Sequence, residues 1–542
     1  MKAANMTSYR RFAKALFVAT GISMILLVAR LTTVEPVVER TALIVQARDV
    51  VAAAAAVRSV GGEVTHELGI IDSVGASLTA AQREVLGKAA GVTLYDEGPV
   101  KSAGGAWSSI TVPLVGADRL HQEGVYGDPV TIAVLHTGSW YSYTSLSKDI
   151  YGDARIVAEY DAIANKVGHI ADKSGHGTHV ASIALSSRRD ANGKYLGVAP
   201  NARLVSVAAF DQNGASTYAN VIRGINWVVA NKATYNIRVL NCSFSAPVRS
   251  WYWADPLNQA IMKAWKAGIV VVVSAGNGGP KPMTIGVPGN VPYVITVGAM
   301  TDSYTPSNAS DDKLASFSAA GPTFEGFAKP DVVAPGGHVY STMDDGNHAI
   351  AKAHPEFVTT NDRIFQMSGT SQAAAVVSGI AALMIQVNPT ITPDNVKCAL
   401  AATAKAAWNG SAAPYSVFQQ GAGLVDAYAA VHSGWGGCAN QGLNIASDLA
   451  GTMHFKGPVA QDATKKYYLT NLTGSGTTWN GTYSTNGYPW SSGYPWSNGY
   501  PWSNGYPWSS GYPWSNGYPW SSSTVKPSAA SSSSINFWVA QQ

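Results

Sequence analysis

Residues 367–386 read MSGTSQAAAVVSGIAALMIQ. They set a serine, Ser371, in a tight Gly-Thr turn at the start of an apolar helix. A helix N-terminus offers free backbone N–H groups and the positive end of the helix dipole, both suited to an oxyanion developing beside the hydroxyl. Two further stretches place polar chemistry at the end of a regular element. SGHGTHVASIAL (174–185) opens a helix with a Gly-flanked His176 and carries His179 three residues on. Zinc pairs on helices prefer i,i+4 spacing with a carboxylate between them. Here Gly177 and Thr178 intervene, so no metal is expected. VVVVSAGNGG (270–279) is a buried strand that ends in Asn277 within a glycine turn.

A fourth stretch is TIAVLHTG (131–138). Ile132–Leu135 read as a buried strand running into His136 and a Thr-Gly turn. Strand C-termini carry the chemistry in open α/β sheets, so a polar side chain there should point into a crevice. Taken alone, His136 fits equally a histidine satisfied by hydrogen bonds at a turn.

Around these stretches, β-branched runs alternate with Ala-rich helical ones from about 110 to 432. VTIAVL, ARLVSVAAF, IRVLNCSF, GIVVVVSAG and YVITVGA are the strand-like runs. The alternation predicts an α/β fold with a mostly parallel sheet and helices on both faces. Residues 41–100 form a smaller unit of their own. Strands TALIVQA, GEVTHEL, IDSVGASLT and VTLYD interleave with helices DVVAAAAAVRSVG and TAAQREVLGKAAG in the order βαββαβ, a ferredoxin-like plait. The Gly-rich segment KSAGGAWSS that follows reads as an extended, cleavable linker.

The chain has 542 residues, too many for one ordinary domain, and only 13% are charged, with a net charge of +4. That balance points to no nucleic-acid partner. Three cysteines, Cys242, Cys398 and Cys438, fit neither a disulfide framework nor a metal spacing. Cys242 reads as a buried thiol, and Cys398 and Cys438 are free to pair if the chain is exported. Arg10, Arg11 and Lys14 precede the apolar run ALFVATGISMILLVA (15–29). Residues 1–31 therefore read as a signal peptide or an uncleaved signal anchor, and predict a secreted or cell-envelope location. After about Gly434 the composition shifts to Gly, Ser, Thr, Trp and Tyr, marking residues 433–542 as an extension. Within it, 487–522 are six tandem copies of GYPWSS or GYPWSN. Each copy displays one Tyr and one Trp on a turn or polyproline-like segment. The array reads either as an aromatic platform for polysaccharide or cell envelope or as a low-complexity linker.

Six motifs occur together and in a recognisable order: GHGTHVAS, NCSFS, SAGN, VPYVITVGA, LASFSAAGPTFEGFAKPDVVAPG and GTSQAAAVVSG. On these, the chain resembles the subtilisin-like serine peptidases (the subtilase family) over residues 105–432, and residues 41–100 resemble the family's inhibitor-type propeptide. The resemblance implies an endopeptidase acting on extended polypeptides through an acyl-enzyme. Ser371 would be the nucleophile, His176 its general base, and Asn277 an oxyanion donor beside the backbone N–H of Ser371. His179 matches a structural histidine. Ser243, Phe244 and Ser245 match the edge segment that pairs with substrate, although the family usually has Gly where Ser245 stands. With Gly276, the stretch GVPGN beginning at Gly286 resembles the base of a roomy S1 pocket, which implies large apolar P1 residues. No cofactor follows from the motifs, and structural calcium is left open.

His136 is the departure. Its position in the family holds Asp, which fixes the tautomer of the base and stabilises the imidazolium that forms. A neutral His136 could do the first and supplies no charge for the second. Three readings stand: a degenerate site in a weakened or inactive relative, a Ser-His-His triad, or a single-nucleotide change from an Asp codon. Asp128 and Asp149 do not replace it, and Asp172 is expected on the wrong side of the imidazole. The rival to an enzyme is a non-catalytic peptide-binding relative anchored to a surface by its aromatic repeats.

Overall fold

The βαββαβ order of the N-terminal unit is present in the structure, a computed structural model describing residues 40–469. Short stretches at 98, 103–106, 109–110, 141, 143, 191–192, 302, 304–311, 344–347, 359–362 and 410–412 are left out. The segment at 1–31 and the GYPWS array at 487–522 lie outside the described residues. Strand β1 (Arg40–Gln46) leads to α1 (Val50–Ser59), β2 (Glu63–Leu68), β3 (Ser73–Thr79), α2 (Ala80–Leu86) and β4 (Thr93–Asp96). The four strands pair antiparallel in the order β2-β3-β1-β4. Asp49 caps α1, and Thr79 with Gln82 forms a capping box on α2. Alternation along β1 divides its side chains. Leu43 and Val45 join the unit's own small core, while Ile44 joins the main core of the chain.

Strand β5 (Pro99–Ser102) then leaves the unit. The main body runs β6 (Thr131–His136), β7 (Ile156–Asp161), α3 (His176–Leu185), β8 (Arg203–Ala208), β9 (Ala215–Thr217), α4 (Tyr218–Ala230), β10 (Ile237–Cys242) and β11 (Phe244–Ser245). It continues with α5 (Pro256–Lys266), β12 (Val270–Ser274), β13 (Ile295–Thr301), β14 (Val332–Pro335), β15 (Ile364–Met367) and α6 (Thr370–Val387). Parallel pairing gives the strand order β7-β8-β6-β10-β12-β13-β14. The chain enters at β6 in the middle and builds outward to both sides, so the carboxyl end of β6 lies at a topological switch point.

Every residue of β6 is buried, as expected of a strand covered on both faces. Leu135 and its neighbour Val207 face α4, where Gly224 lets the helix approach so closely that a Cβ would lie 2.7 Å from Leu135. Asn241, paired with Val134, faces α6, where it accepts from Ser378 Oγ at 2.9 Å. Adjacent residues alternate, so His136 shares the face of Val134 and points toward the side that α3 and α6 cover. Helix α6 is buried from Thr370 to Ile385, which explains its lack of charge.

Residues 433–469, beyond the compositional shift at Gly434, pack onto the main body. Cys438 is bonded to Cys398, Asn440 Nδ2 donates to Tyr293 O at 2.9 Å, and Tyr252 and Tyr293 both donate to Asp448 Oδ2. Tyr467 and Leu469 pack with Ala320, Val417 and Phe418. The segment lies over the surface through a short helix, Ile445–Leu449, capped by Asn444, and an antiparallel pair of strands, Val459–Gln461 with Tyr467–Leu469.

Helices α3 and α6 approach through Gly379, where a Cβ would lie 2.6 Å from Val198 Cβ and 3.0 Å from Ala184 O. Gly379→Val should therefore lower stability by about 1–3 kcal/mol, read as a fall in thermal midpoint by circular dichroism. Gly193→Val meets no neighbour within 4 Å, so its cost should be that of the left-handed backbone alone, φ 78°, with no packing contribution.

Candidate active site

The carboxyl ends of β6, β10 and β12 lie side by side: Leu135 pairs Cys242, which pairs Val273. The residues next along each strand, His136, Ser243 and Ser274, are thus level at one edge of the sheet. Ser371 meets them at the N-terminus of α6. Its Oγ donates to Ser243 O at 3.1 Å, and Ser243 Oγ donates back to Ser371 O at 3.0 Å. Asn241 Nδ2 donates to Ser243 Oγ at 2.7 Å and so orients the pair. Ser371 itself is fully buried.

Asn277 is held by the residue before the serine. Thr370 N and Thr370 Oγ1 both donate to Asn277 Oδ1, at 3.1 and 2.9 Å. Gly276 N donates to Thr370 Oγ1 at 3.1 Å. Two donors on the carbonyl oxygen fix the amide's orientation and leave Nδ2 as the end offered to a ligand. The sequence motifs name Asn277; they give no sign that Thr370 holds it or that Asn241 orients Ser243.

His176 is the first residue of α3 and is buried. Asp172 fixes the turn before it. Its Oδ1 accepts from the N–H groups of Ser174 and Gly175, and its Oδ2 from Thr178 N and Thr178 Oγ1, at 2.7–3.1 Å. Four donors commit that carboxylate to the start of the helix, where the dipole favours it. It does not serve as a partner for the His176 ring. His179 Nε2 donates to Phe365 O at 3.0 Å, tying α3 to β15 and so to the turn that carries Ser371.

His136 packs against the first turn of α3. A Cβ on Gly177 would overlap its ring, 2.7 Å from Cε1, so the two elements meet only because Gly177 has no side chain. Gly177 N donates to Thr137 Oγ1 at 2.9 Å. His136 Nδ1 accepts from Gly138 N at 3.3 Å, which assigns the ring proton to Nε2. Nε2 makes no hydrogen bond among the described residues. Burial lowers the His136 pKa to about 3, Asp172 opposing and His176 reinforcing the shift. A neutral imidazole therefore packs against the turn that carries His176.

The residues expected on the substrate side flank a groove already filled by this chain. Strand β5 lies antiparallel between β9 and β11: Lys101 pairs Ala215 on one side and Ser245 on the other, and Ser102 pairs Phe244. Phe244 offers only its backbone, since its side chain is buried against Phe210 with ring centroids 5.3 Å apart. Gly276 and Gly286 flank Ser245. A Cβ on Gly286 would overlap Ser245 Oγ, and one on Gly276 would lie 3.1 Å from it. At the expected base of the pocket, Ser245 thus stands against Gly286, in space that a glycine at 245 would leave.

Two histidines here carry a pH signature. His136 and His179 both have pKa values lowered from 6.5 to about 3, chiefly by burial. The unfolded chain binds these protons more tightly, so the stability of the neutral rings is complete above pH 6.5 and falls as pH drops toward 3. Each contributes a slope of up to about 1.4 kcal/mol per pH unit. His136→Asn keeps an acceptor for Gly138 N and cannot titrate. In urea unfolding between pH 4 and 6, it should flatten the loss of stability by about one proton's worth relative to the unsubstituted chain.

A model of the subtilase family matches residues 127–423. The serine protease AprX of Bacillus subtilis (strain 168) is 40% identical over 276 residues, 50% of this chain and 60% of AprX. Subtilisin DY of Bacillus licheniformis is 32% identical over 295 residues, 54% of this chain and 90% of that protein. The crystal structure of fervidolysin from Fervidobacterium pennivorans, a keratinolytic enzyme related to subtilisin, has a TM-score of 0.60 at 23% identity. That alignment covers 75% of this chain and 63% of fervidolysin, so this chain spans under two thirds of AprX and of fervidolysin. A family model matching more than half of the chain and the subtilisin-like sheet agree: the chain belongs to the subtilase family of serine endopeptidases.

Proposed function

We propose that the chain is an exported endopeptidase that hydrolyses extended polypeptides through an acyl-enzyme on Ser371, and that it works slowly as written because of His136. The observation that carries this reading is the lock of Asn277 Oδ1 by Thr370, which leaves Nδ2 presented next to the serine turn. In this reading His176 takes the Ser371 proton as the hydroxyl attacks the substrate carbonyl and returns it to the leaving amine. Asn277 Nδ2 and Ser371 N stabilise the oxyanion. The substrate backbone adds as a strand between β9 and β11, as β5 does now.

The N-terminal unit acts here as inhibitor and folding partner. It rests on α4 and α5: Glu97 Oε1 accepts from Ala219 N at 3.0 Å, His66 Nε2 bonds Asn220 Oδ1 at 2.8 Å, and Gln46 Nε2 donates to Gln259 Oε1 at 2.9 Å. Export is supported by the basic and apolar residues of 1–31 and by the Cys398–Cys438 disulfide, which fits an oxidising compartment. The aromatic repeats at 487–522 would hold the chain to cell-envelope or polysaccharide surfaces.

His136 sets the rate. As His176 gains its proton in the transition state, a carboxylate behind it would stabilise the charge, and a neutral ring does not. Loss of that carboxylate costs a subtilisin roughly 3 × 10⁴ in kcat, about 6 kcal/mol of transition-state stabilisation. His136→Asp should accelerate release of the N-terminal unit by about 10³–10⁴, followed by gel and mass spectrometry on the full chain. The same change with Ser371→Ala should release nothing. Equal or slower processing after His136→Asp would instead favour a working Ser-His-His arrangement. No processing in either would favour the peptide-binding relative.

A further inference from the structure

The floor beneath β11 bears on which residue the groove accepts before the reacting carbonyl. Ser371 Oγ lies on Ser243 O, and Asn277 follows Gly276 directly. The side chain of the residue acylated on Ser371 must therefore lie next to β11 and the two glycines, Gly276 and Gly286. Ser245 reaches into this space. Rotation about its χ1 would move Oγ but not Cβ, and Ser245 Cβ lies 3.5 Å from the Cβ positions of both glycines. The wall cannot retreat: Ala246 and Val287 exchange two backbone bonds of 2.8 Å, and Ser274 Oγ donates to Phe244 O at 3.0 Å. On the other side, Ala275, Ile285 and Ala319 are buried together.

We propose that Ser245 makes this a groove for small residues, such as alanine or glycine, at the position whose carbonyl is attacked, and that it rejects leucine- and phenylalanine-sized ones. The inference deepens the hydrolytic reading above and rests on it for the identity of the attacked carbonyl. The chain's own sequence is consistent with it. The residues after Lys101 are Ser102, Ala103, Gly104 and Gly105, all small, at the point where the segment leaves the groove strand.

Two measurements on the full chain test this. The first is turnover by the His136→Asp chain of peptides differing only in alanine or phenylalanine before the cut. The second needs no chemistry: equilibrium binding to the Ser371→Ala chain, by anisotropy, of fluorescein-labelled peptides with the sequence of Pro99–Ser102 followed by a terminal alanine or phenylalanine. Strand β5 competes with both peptides and lowers both affinities by the same factor, so their ratio is preserved. The alanine peptide should be favoured at least 10-fold in each assay, within the range a pocket achieves by size alone. Ser245→Ala, which keeps Cβ, should retain most of the preference, and Ser245→Gly should abolish or reverse it. A phenylalanine preference in the unsubstituted groove, a ratio unmoved by Ser245→Gly, or binding of neither peptide would overturn the inference. Selective binding without turnover would uphold it while refuting hydrolysis. Turnover of both peptides alike would do the reverse.

Discussion

Ser243 and Ser371 each donate a hydroxyl to the other's carbonyl, and this reciprocal pair joins the carboxyl end of β10 to the N-terminus of α6. The rest of the site depends on it. The pair fixes the serine at the sheet edge where an extended backbone can add, and Thr370, one residue earlier, turns Asn277 so that its amide faces outward. Each tie is a neutral hydrogen bond worth about 1 kcal/mol net. Their value lies in geometry: the donors are aimed before any substrate arrives, so no reorganisation is needed as charge develops.

The groove and the electrostatics behind the base are separable. One half, built on β9 and β11 beside Asn277 and Ser371, holds β5 in an antiparallel register. In the other half His136 stands where the proposed mechanism calls for a charge. The fold accommodates His136 without rearrangement because Gly177 yields the space and Gly138 N supplies one bond to its ring. Asp172 is near enough to influence that ring, yet its oxygens already accept four donors at the start of α3. A carboxylate close by in sequence is thus no substitute for one on the correct side of the imidazole.

Much of this was legible before the structure. Apolar β-branched runs ending in polar residues pointed to a parallel sheet with polar residues at its carboxyl edge, and the strand order places His136 and Ser243 there, with Asn277 in the turn three residues after Ser274. What escaped the sequence was of two kinds. Thr370, Asn241 and Ser378 act through contacts between elements far apart in the chain, and nothing local to them signals a partner 93 or 137 residues away. Residues 433–469 were masked by composition, because Gly, Ser and Asn suit a packed strap as well as a linker. The space at Gly286 was not legible either. Glycine leaves space only if its neighbour does not take it, and Ser245 does.

The central claim is that a neutral imidazole, unbonded to His176, stands beside that residue, the proposed base. It is tested most directly by ¹⁵N NMR of the histidine rings in the Ser371→Ala chain, followed from pH 4 to 8. The account predicts that His136 keeps its proton on Nε2 and stays neutral across that range. A His136 that titrates near pH 6, or whose ring nitrogen accepts a hydrogen bond from His176, would contradict it.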